Sequence, residues 1–254
     1  MTHLEQSDGG AVGPAIPISY GRLTCESMYD IWQNKMISFQ DVSKSYHIRK
    51  FRKDVLRNLE FTIETGCSLG ICGANGAGKS TLMRLISGVE APSSGRIVRS
   101  VSCSWPIGYS SCFQSSLTGA DNARFIARIY GKDIKQLLDY VEDFAQLGAY
   151  FYQPIYAYSA GMMARLAFGI SLAIDFDCYL VDEVTAAGDD RFRQRCEEAL
   201  QHRRETGTLL MISHDPNTLR AYCERGAVLH DGQLTFYDTI GEAIDIHMHN
   251  QALH

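Results

Sequence analysis

Several features that would assign the sequence to other classes of protein are missing from it. No stretch approaches the run of about 18 apolar residues that a membrane-spanning helix needs, and no basic start with a long apolar core marks the N-terminus. The 24 Lys and Arg residues are outnumbered by 29 Asp and Glu, and the net charge of -5 argues against a broad basic surface for nucleic acid. We therefore expect a globular, cytosolic protein that does not bind nucleic acid.

Paired cysteines and an obvious metal-ligand pattern are also missing. The eight cysteines contain no Cys-x-x-Cys pair, and several lie within apolar runs, which is typical of buried thiols in a reducing compartment. His247 and His249 stand two residues apart and would lie on different sides of a helix, so we interpret them as surface residues. The 254 residues, 45% of them hydrophobic, suffice for one large α/β domain or two small ones.

Regular hydrophobic patterning begins only at Met36. Residues 1–35 are rich in glycine, serine and other small residues, which predicts a mostly disordered leader and raises the hypothesis that translation starts at Met36. Residues 36–42 and 56–63 alternate apolar and polar side chains, as antiparallel strands with one buried face do. The basic run over residues 47–53 predicts a solvated loop between these strands.

A helical segment then interrupts a parallel-sheet pattern. Between about residues 117 and 165, apolar residues recur at spacings of three and four, and they are Phe125, Ile129, Leu137, Leu138, Val141, Phe144 and Leu147. Sheet patterning resumes with a strand over 178–181, a charged helix over about 190–204 and a strand over 208–213. The pattern predicts an α/β domain in which antiparallel strands precede a β-α-β core with a helical insertion.

A glycine-rich loop lies between an apolar run and a helix-forming stretch. It reads Gly73, Ala74, Asn75, Gly76, Ala77, Gly78, Lys79, Ser80 and Thr81, a complete G-x-x-x-x-G-K-S pattern. Its glycines allow successive N–H groups to close around phosphate oxygens, and the following helix adds its positive end. Lys79 would reach the β- and γ-phosphates, and the Ser80 hydroxyl would bind Mg²⁺. The alternative is a glycine-rich turn that binds nothing.

Two adjacent carboxylates, Asp182 and Glu183, end the apolar strand over 178–181. Such a strand delivers acids to the carboxyl edge of the sheet, where the phosphate loop also lies. Asp182 would hold Mg²⁺, and Glu183 would orient and polarise the attacking water. The alternative is a solvated acidic strand end.

A second anion site is predicted where Ser159, Ala160, Gly161 and Met162 precede an amphipathic run over 163–173. Ser159 is placed to cap that helix, and a capped helix start with a nearby glycine can bind phosphate. An ordinary capped helix start is the alternative.

Taken together, these motifs resemble the nucleotide-binding subunits of ATP-binding cassette transporters over residues 36–248. The resemblance implies a P-loop domain with a RecA-like core, in which Tyr46 stacks on adenine, Gln114 contacts the nucleotide and Mg²⁺, and His214 touches the γ-phosphate. It further implies that residues 188–189, including Asp189, cross to a partner subunit. Tyr46 could instead pack against a strand, and Gln114 could cap the insertion.

The finer pattern resembles one subfamily. The segment from Tyr158 to Met162 departs from Leu-Ser-Gly-Gly-Gln at its first, third and fifth places but keeps Ser159 and Gly161. With the segments over 104–108, 113–119 and 181–189, it looks like the ATPase of bacterial capsular polysaccharide exporters, whose cousins export O-antigen and teichoic acid. That resemblance implies a homodimer that holds ATP between Lys79 of one copy and Ser159 of the other. It also implies a polytopic membrane permease that handles the polysaccharide at the inner membrane.

Two other classes share the phosphate loop. A small-molecule kinase or GTPase would not need the segment over 158–162 or His214, and no Asn-Lys-x-Asp segment follows the loop. A soluble cassette protein acting on DNA or ribosomes usually carries two cassettes or a long coiled coil, and this sequence has one cassette without a heptad array.

Overall fold

A computed structural model of the chain describes residues 36–48, 51–110, 113–182 and 189–252. The predicted leader over residues 1–35, on which the hypothesis of a start at Met36 depends, lies outside the described residues. Glu183 and Gly188, for which the sequence predicts functions, also lie outside them. The described residues form two sheets and seven α-helices. Among them, no helix has the length and apolarity to cross a membrane.

The smaller sheet is antiparallel and has the order β2-β1-β4. Its strands are β1 (Met36–Ile48), β2 (Phe51–Glu64) and β4 (Ser94–Arg99). Phe39 of β1 lies opposite Phe61 of β2, with ring centroids 4.4 Å apart. The two predicted strands are thus confirmed, and they pair through a stacked aromatic pair on the buried face.

The solvated loop predicted over residues 47–53 is wrong. Strands β1 and β2 continue through most of it, because Tyr46 pairs with Lys53, His47 with Arg52 and Ile48 with Phe51. Antiparallel pairing satisfies the backbone groups here, while the side chains of His47, Arg52 and Lys53 are exposed. A run of charge is therefore compatible with a strand that lies outside the core.

The central sheet has the order β5-β6-β7-β3-β8-β9, with β9 antiparallel and the other strands parallel. Its strands are β3 (Ser68–Cys72), β5 (Cys103–Pro106), β6 (Cys178–Asp182), β7 (Thr208–Ile212), β8 (Arg225–His230) and β9 (Gln233–Tyr237). Alternate residues of the buried strands point to opposite faces, so Leu209 and Met211 join one hydrophobic cluster and Leu210 and Ile212 the other. The predicted β-α-β core is confirmed.

Seven helices accompany the sheets. They are α1 (Lys79–Ser87), α2 (Gly119–Ile129), α3 (Ile134–Ala145), α4 (Ala160–Leu172), α5 (Asp190–Thr206), α6 (Pro216–Tyr222) and α7 (Ile240–Ala252). Helix α1 packs between the two sheets, whereas α2 to α4 form the helical insertion and pack with α5 to α7 on the other face of the central sheet. The insertion is confirmed, with two short 3-10 turns between α3 and α4.

The buried face of α2 differs from the predicted one. Phe125 and Ile129 carried the predicted apolar stripe, yet each is 57% exposed. The helix instead buries Ile126 and small residues such as Ala123 and Ala127. These small side chains allow α2 to pack closely against its neighbours. Phe125 and Ile129 therefore lie on the face of α2 that points away from the core. This leaves large apolar side chains on the surface of the insertion.

The cysteine prediction is confirmed for most of the thiols described. Cys72, Cys178, Cys196 and Cys223 are buried, whereas Cys67 and Cys103 are half-buried. Cys25 and Cys112 lie outside the described residues. Burial raises the pKa of Cys196 and Cys223 to about 12, so these thiols stay protonated at neutral pH.

Candidate nucleotide-binding site

The phosphate loop connects β3 to α1 in a tight turn. Gly76 and Gly78 adopt φ angles of 80° and 109°, which favour glycine strongly. A Cβ atom on Gly78 would lie 2.6 Å from the Cγ1 atom of Val55, and one on Gly73 would lie 2.7 Å from the carbonyl oxygen of Leu229. The loop therefore packs closely against β2 and β8, and a side chain at Gly73 or Gly78 would displace it.

Lys79 begins α1 and lies over the loop. It is 8% exposed, and its Nζ atom donates to the carbonyl oxygens of Gly73 at 2.5 Å and Ala74 at 3.1 Å. The ammonium group is thus held within the turn of the loop, together with the positive N-terminal end of α1. An anion of several phosphates suits this concentration of positive charge and N–H groups.

A cavity of about 580 Å³ opens beside the loop. The residues that line it come from the β1–β2 ribbon, the phosphate loop with α1, and the ends of β6 and β7: Tyr46, Lys53, Val55, Asn75, Gly76, Gly78, Lys79, Ser80, Thr81, Asp182, Ile212 and His214. The structure thus brings nine of the predicted site residues together, and Gly73, Ala74 and Ala77 belong to the same loop. The volume lies within the range of small-molecule sites and suits a nucleoside triphosphate.

Two hard oxygen ligands meet on the wall of this cavity. Ser80 is exposed, Asp182 is half-buried, and both line the cavity, so their oxygens fit Mg²⁺. No group of three or more His, Cys, Asp or Glu residues that could hold a metal occurs among the described residues. The remaining ligands of a magnesium ion here would therefore be phosphate oxygens and water.

Gln114 does not line the cavity, although it was predicted to contact the nucleotide and the metal. Its side-chain amide donates to Ser116 Oγ at 3.2 Å, and its backbone N–H donates to Asn122 Oδ1 at 2.9 Å. Gln114 is therefore tied to the start of the helical insertion. Its predicted contacts require that segment to approach the cavity.

The predicted second anion site lies at the exposed start of α4, outside the cavity. The Ser159 side chain accepts from the Met162 backbone N–H at 3.2 Å, which confirms the predicted helix cap. Tyr158 donates from its hydroxyl to the carbonyl oxygen of Tyr150 at 2.7 Å. Tyr158, the unusual first residue of the segment, thus anchors it to the 3-10 turn over Gly148–Tyr152, while Ser159 is exposed and Gly161 is half-buried.

Asp189, another predicted nucleotide contact, also lies outside the cavity and caps α5. Its carboxylate accepts from the Phe192 N–H at 3.0 Å and from Arg165 Nη2 at 3.0 Å. The Phe192 N–H and the Arg165 guanidinium lower the pKa of Asp189. Since Arg165 lies on α4, this exposed ion pair connects the helix that starts at Ser159 with the segment that follows β6.

Several residues near the cavity carry no motif and were not predicted. Lys53 and Val55 line it because the β1–β2 ribbon extends past it. His247, interpreted from the sequence as a surface residue, is half-buried, and its pKa is lowered first by burial and then by electrostatic interaction with Lys79, His214 and His230. Nothing in the spacing of His247 and His249 indicates that α7 returns to this edge of the sheet.

Tyr46 is held in place by a network that includes Glu90. The Tyr46 hydroxyl donates to Glu90 Oε2 at 2.8 Å and accepts from Arg84 Nη2 at 3.0 Å. Lys44 Nζ lies 2.8 Å from Glu90 Oε1 and 5.2 Å from the centroid of the Tyr46 ring. Burial opposes ionisation of Glu90, but hydrogen bonds from Lys44, Arg84 and Tyr46 lower its pKa to about 2. The carboxylate is therefore charged throughout the neutral range.

A strand, a phosphate loop and a helix at the carboxyl edge of a largely parallel sheet, with Asp182 and His214 facing the same cavity, define a P-loop nucleotide-binding domain. The family model described as ABC transporter matches residues 56–186. The capsule polysaccharide export ATP-binding protein CtrD of Neisseria meningitidis serogroup B is 47% identical over 83% of this chain and 97% of its own length. The chain therefore belongs to the ABC transporter family and is an ATPase that binds ATP.

Two further comparisons define the breadth of the similarity. The teichoic acids export ATP-binding protein TagH of Bacillus anthracis is 34% identical over 83% of this chain, which spans 38% of TagH. A solved dimeric structure of the ATP-binding cassette MJ0796, bound to ADP and Pi in a post-hydrolysis state, superposes with a TM-score of 0.67 at 21% identity. It covers 78% of this chain and 96% of that cassette, and it supports the predicted fold.

Proposed function

We propose that this chain is the ATP-hydrolysing subunit of an exporter of capsular polysaccharide. The observation that carries the proposal is the match to CtrD, which extends over nearly the whole of that protein at 47% identity. The resemblance to TagH is weaker and covers a smaller part of that relative, so teichoic acid is the less favoured cargo. The charged and glycine-rich cavity beside Lys79 supplies the energy-converting site that either exporter needs.

We infer that the working unit is a homodimer with ATP at the interface. The cavity collects the phosphate loop, Asp182 and His214, but the Ser159 end of α4 is exposed and lies outside it. A second copy would bring its Ser159 and Gly161 to the phosphates, which the separated chain cannot do. The MJ0796 cassette, which has the same fold, was solved as a dimer. ATP then holds the copies together, and hydrolysis removes the bridge between them.

The charged and polar residues predicted for the site have proposed roles in hydrolysis. Lys79 and the loop N–H groups bind the β- and γ-phosphates, and His214 contacts the γ-phosphate. Glu183, which lies outside the described residues, orients the attacking water and accepts its proton. Ser80 and Asp182, with Gln114 once the insertion approaches, would hold Mg²⁺, which neutralises phosphate charge when bound.

A polytopic permease would dock in a second, apolar cavity. This cavity of about 600 Å³ lies between α1, β5, α2 and α4, and its apolar walls include Val89, Trp105, Ile129 and Tyr130. Ser80 and Asp182 line both this cavity and the nucleotide cavity, so the two are adjacent. Val89 and Ile129 are 68% and 57% exposed, which is unusual for large apolar residues that stand together. The cavity lies between the P-loop core and the helical insertion, so a permease segment bound there would contact both parts. A movement of the insertion relative to the core would therefore displace that segment. We propose that this coupling drives export at the cytoplasmic face of the inner membrane.

The docking proposal predicts the effect of a charge in this cavity. When the chain is co-expressed with its permease, Ile129→Glu should lower the membrane-recovered fraction at least about tenfold, since a carboxylate is costly to bury in an apolar contact. ATP affinity should stay unchanged, because Ile129 lies outside the nucleotide cavity. Met248→Glu, at another exposed apolar residue, is the matched control and should be recovered with the membrane as the unaltered chain is. Equal recovery of both variants would contradict the docking site.

Deletion of the encoding gene in its host tests the export function itself. Surface capsular polysaccharide should disappear and return with the unaltered chain but not with a Lys79→Ala chain. Loss of O-antigen or teichoic acid, with the capsule intact, would favour the alternative exporters. Recovery in the soluble fraction with the permease present would favour a non-transport P-loop ATPase.

A further inference from the structure

The Tyr46 network joins three separate elements next to the nucleotide cavity. Tyr46 and Lys44 lie on β1 of the smaller sheet, and Arg84 lies on α1, which begins at Lys79. Glu90 belongs to the connection after α1 and contacts all three side chains, with Arg84 Nε 3.0 Å from its Oε2 atom. One carboxylate thus ties the aromatic side chain of one sheet to the helix of the phosphate loop.

The network restrains the ring of Tyr46. An aromatic side chain on the surface of a strand can normally adopt more than one rotamer. Here the hydroxyl is bound at 2.8 Å by Glu90 and at 3.0 Å by Arg84, and the Lys44 ammonium lies over the ring. Arg84 Nη2 also donates to Thr81 Oγ1 at 3.2 Å, which extends the restraint to the phosphate loop helix. Tyr46 lines the nucleotide cavity, whereas Lys44, Arg84 and Glu90 do not.

We propose that Glu90 is a positioning residue for the nucleobase of ATP. It holds the Tyr46 ring as a preformed wall at a set distance from the phosphate loop, so that adenine stacks on it when Lys79 engages the phosphates. A preformed ring avoids the entropy that an unrestrained side chain would lose on binding. The inference rests on the proposed function as an ATPase and on the predicted stacking of Tyr46 on adenine, and it assigns to Glu90 the geometry of that contact.

Four variants of the full chain test the inference by equilibrium binding. Tyr46→Ala removes the wall and should raise the Kd for ATP about 5- to 150-fold, the usual range for a lost base–aromatic stack. Glu90→Ala and Tyr46→Phe keep a ring but remove the tether, so each should raise that Kd about 3- to 10-fold. The double variant Tyr46→Ala/Glu90→Ala should bind ATP as Tyr46→Ala does, since Glu90 acts through the ring.

Binding of inorganic tripolyphosphate shows whether Glu90 positions the nucleobase or instead supports the phosphate loop. Tripolyphosphate has no base, so its Kd should be the same for Glu90→Ala and the unaltered chain. In hydrolysis, Glu90→Ala should raise KM for ATP and leave kcat unchanged. Glu60→Ala removes an exposed acid of β2 and should change none of these quantities.

Three results would overturn the inference, and they identify which premise failed. Equal weakening of ATP and tripolyphosphate by Glu90→Ala would show that Glu90 supports the phosphate loop. Unchanged ATP affinity in Glu90→Ala, with weakened affinity in Tyr46→Ala, would refute the role of Glu90 and leave the adenine contact intact. Unchanged affinity in Tyr46→Ala would refute the adenine contact, and the role of Glu90 with it.

Discussion

Glu183→Gln should bind ATP normally and hydrolyse it about 100- to 10,000-fold more slowly than the unaltered chain, the usual contribution of a positioned base. The amide keeps the shape of the side chain but cannot accept a proton from water. Since the γ-phosphate then persists, the bridge between the two copies should persist as well. The variant should therefore accumulate as an ATP-bound dimer, which sedimentation velocity with ATP and with ADP would detect.

The matched control for this variant is Glu224→Gln. Glu224 is a surface acid that pairs with Arg204 at 3.1 Å, away from the cavity, so its loss should leave turnover unchanged. Near-normal hydrolysis by Glu183→Gln would mean that another group activates the water.

Lys79→Ala should weaken ATP binding itself, with a Kd raised about 10- to 150-fold, because hydrogen bonds to charged groups are worth about 1.5–3 kcal/mol. The Lys79 ammonium lies within the phosphate loop, bound to the Gly73 and Ala74 carbonyl oxygens. Its removal leaves the phosphates without their nearest side-chain cation. Titration calorimetry with ATP measures the change.

Lys132→Ala provides the comparison, since Lys132 pairs with Asp175 on the surface, 3.3 Å away, and has no part in the cavity. Its ATP affinity should equal that of the unaltered chain. An equal affinity in Lys79→Ala would show that backbone N–H groups alone bind the phosphates, and it would remove Lys79 from the site.

The phosphate loop and the strand ends could be predicted because local chemistry determines them. Gly76 and Gly78 need φ angles that favour glycine, and Lys79 and Ser80 follow them at a fixed spacing. The buried strands β6 and β7 are short apolar runs, and parallel packing places Asp182 and His214 at the same edge. These features depend on a few neighbouring residues, so the sequence alone indicates them.

The features that sequence reasoning missed depend on contacts between distant segments. Glu90 meets Tyr46 across 44 positions of the chain, and no spacing rule connects them. The buried face of α2 follows from the small residues that allow close packing, whereas the large residue Phe125 suggested the opposite face. Residues 47–48 and 51–53 lie in strands because their backbone is paired, although their charged side chains suggested a loop. In each case a tertiary contact outweighed the local pattern.

Mixing two inactive variants tests most directly whether ATP is shared between two copies. One variant is Lys79→Ala, and the other is Ser159→Arg, which fills the exposed start of α4 with a large side chain. In a mixed dimer one site carries both changes, whereas the other combines an intact phosphate loop with an intact Ser159. We expect the mixture to hydrolyse ATP at a rate well above the sum of the two separate rates. A rate equal to that sum at every mixing ratio, under conditions where the unaltered chain is active, would contradict a site shared between two copies.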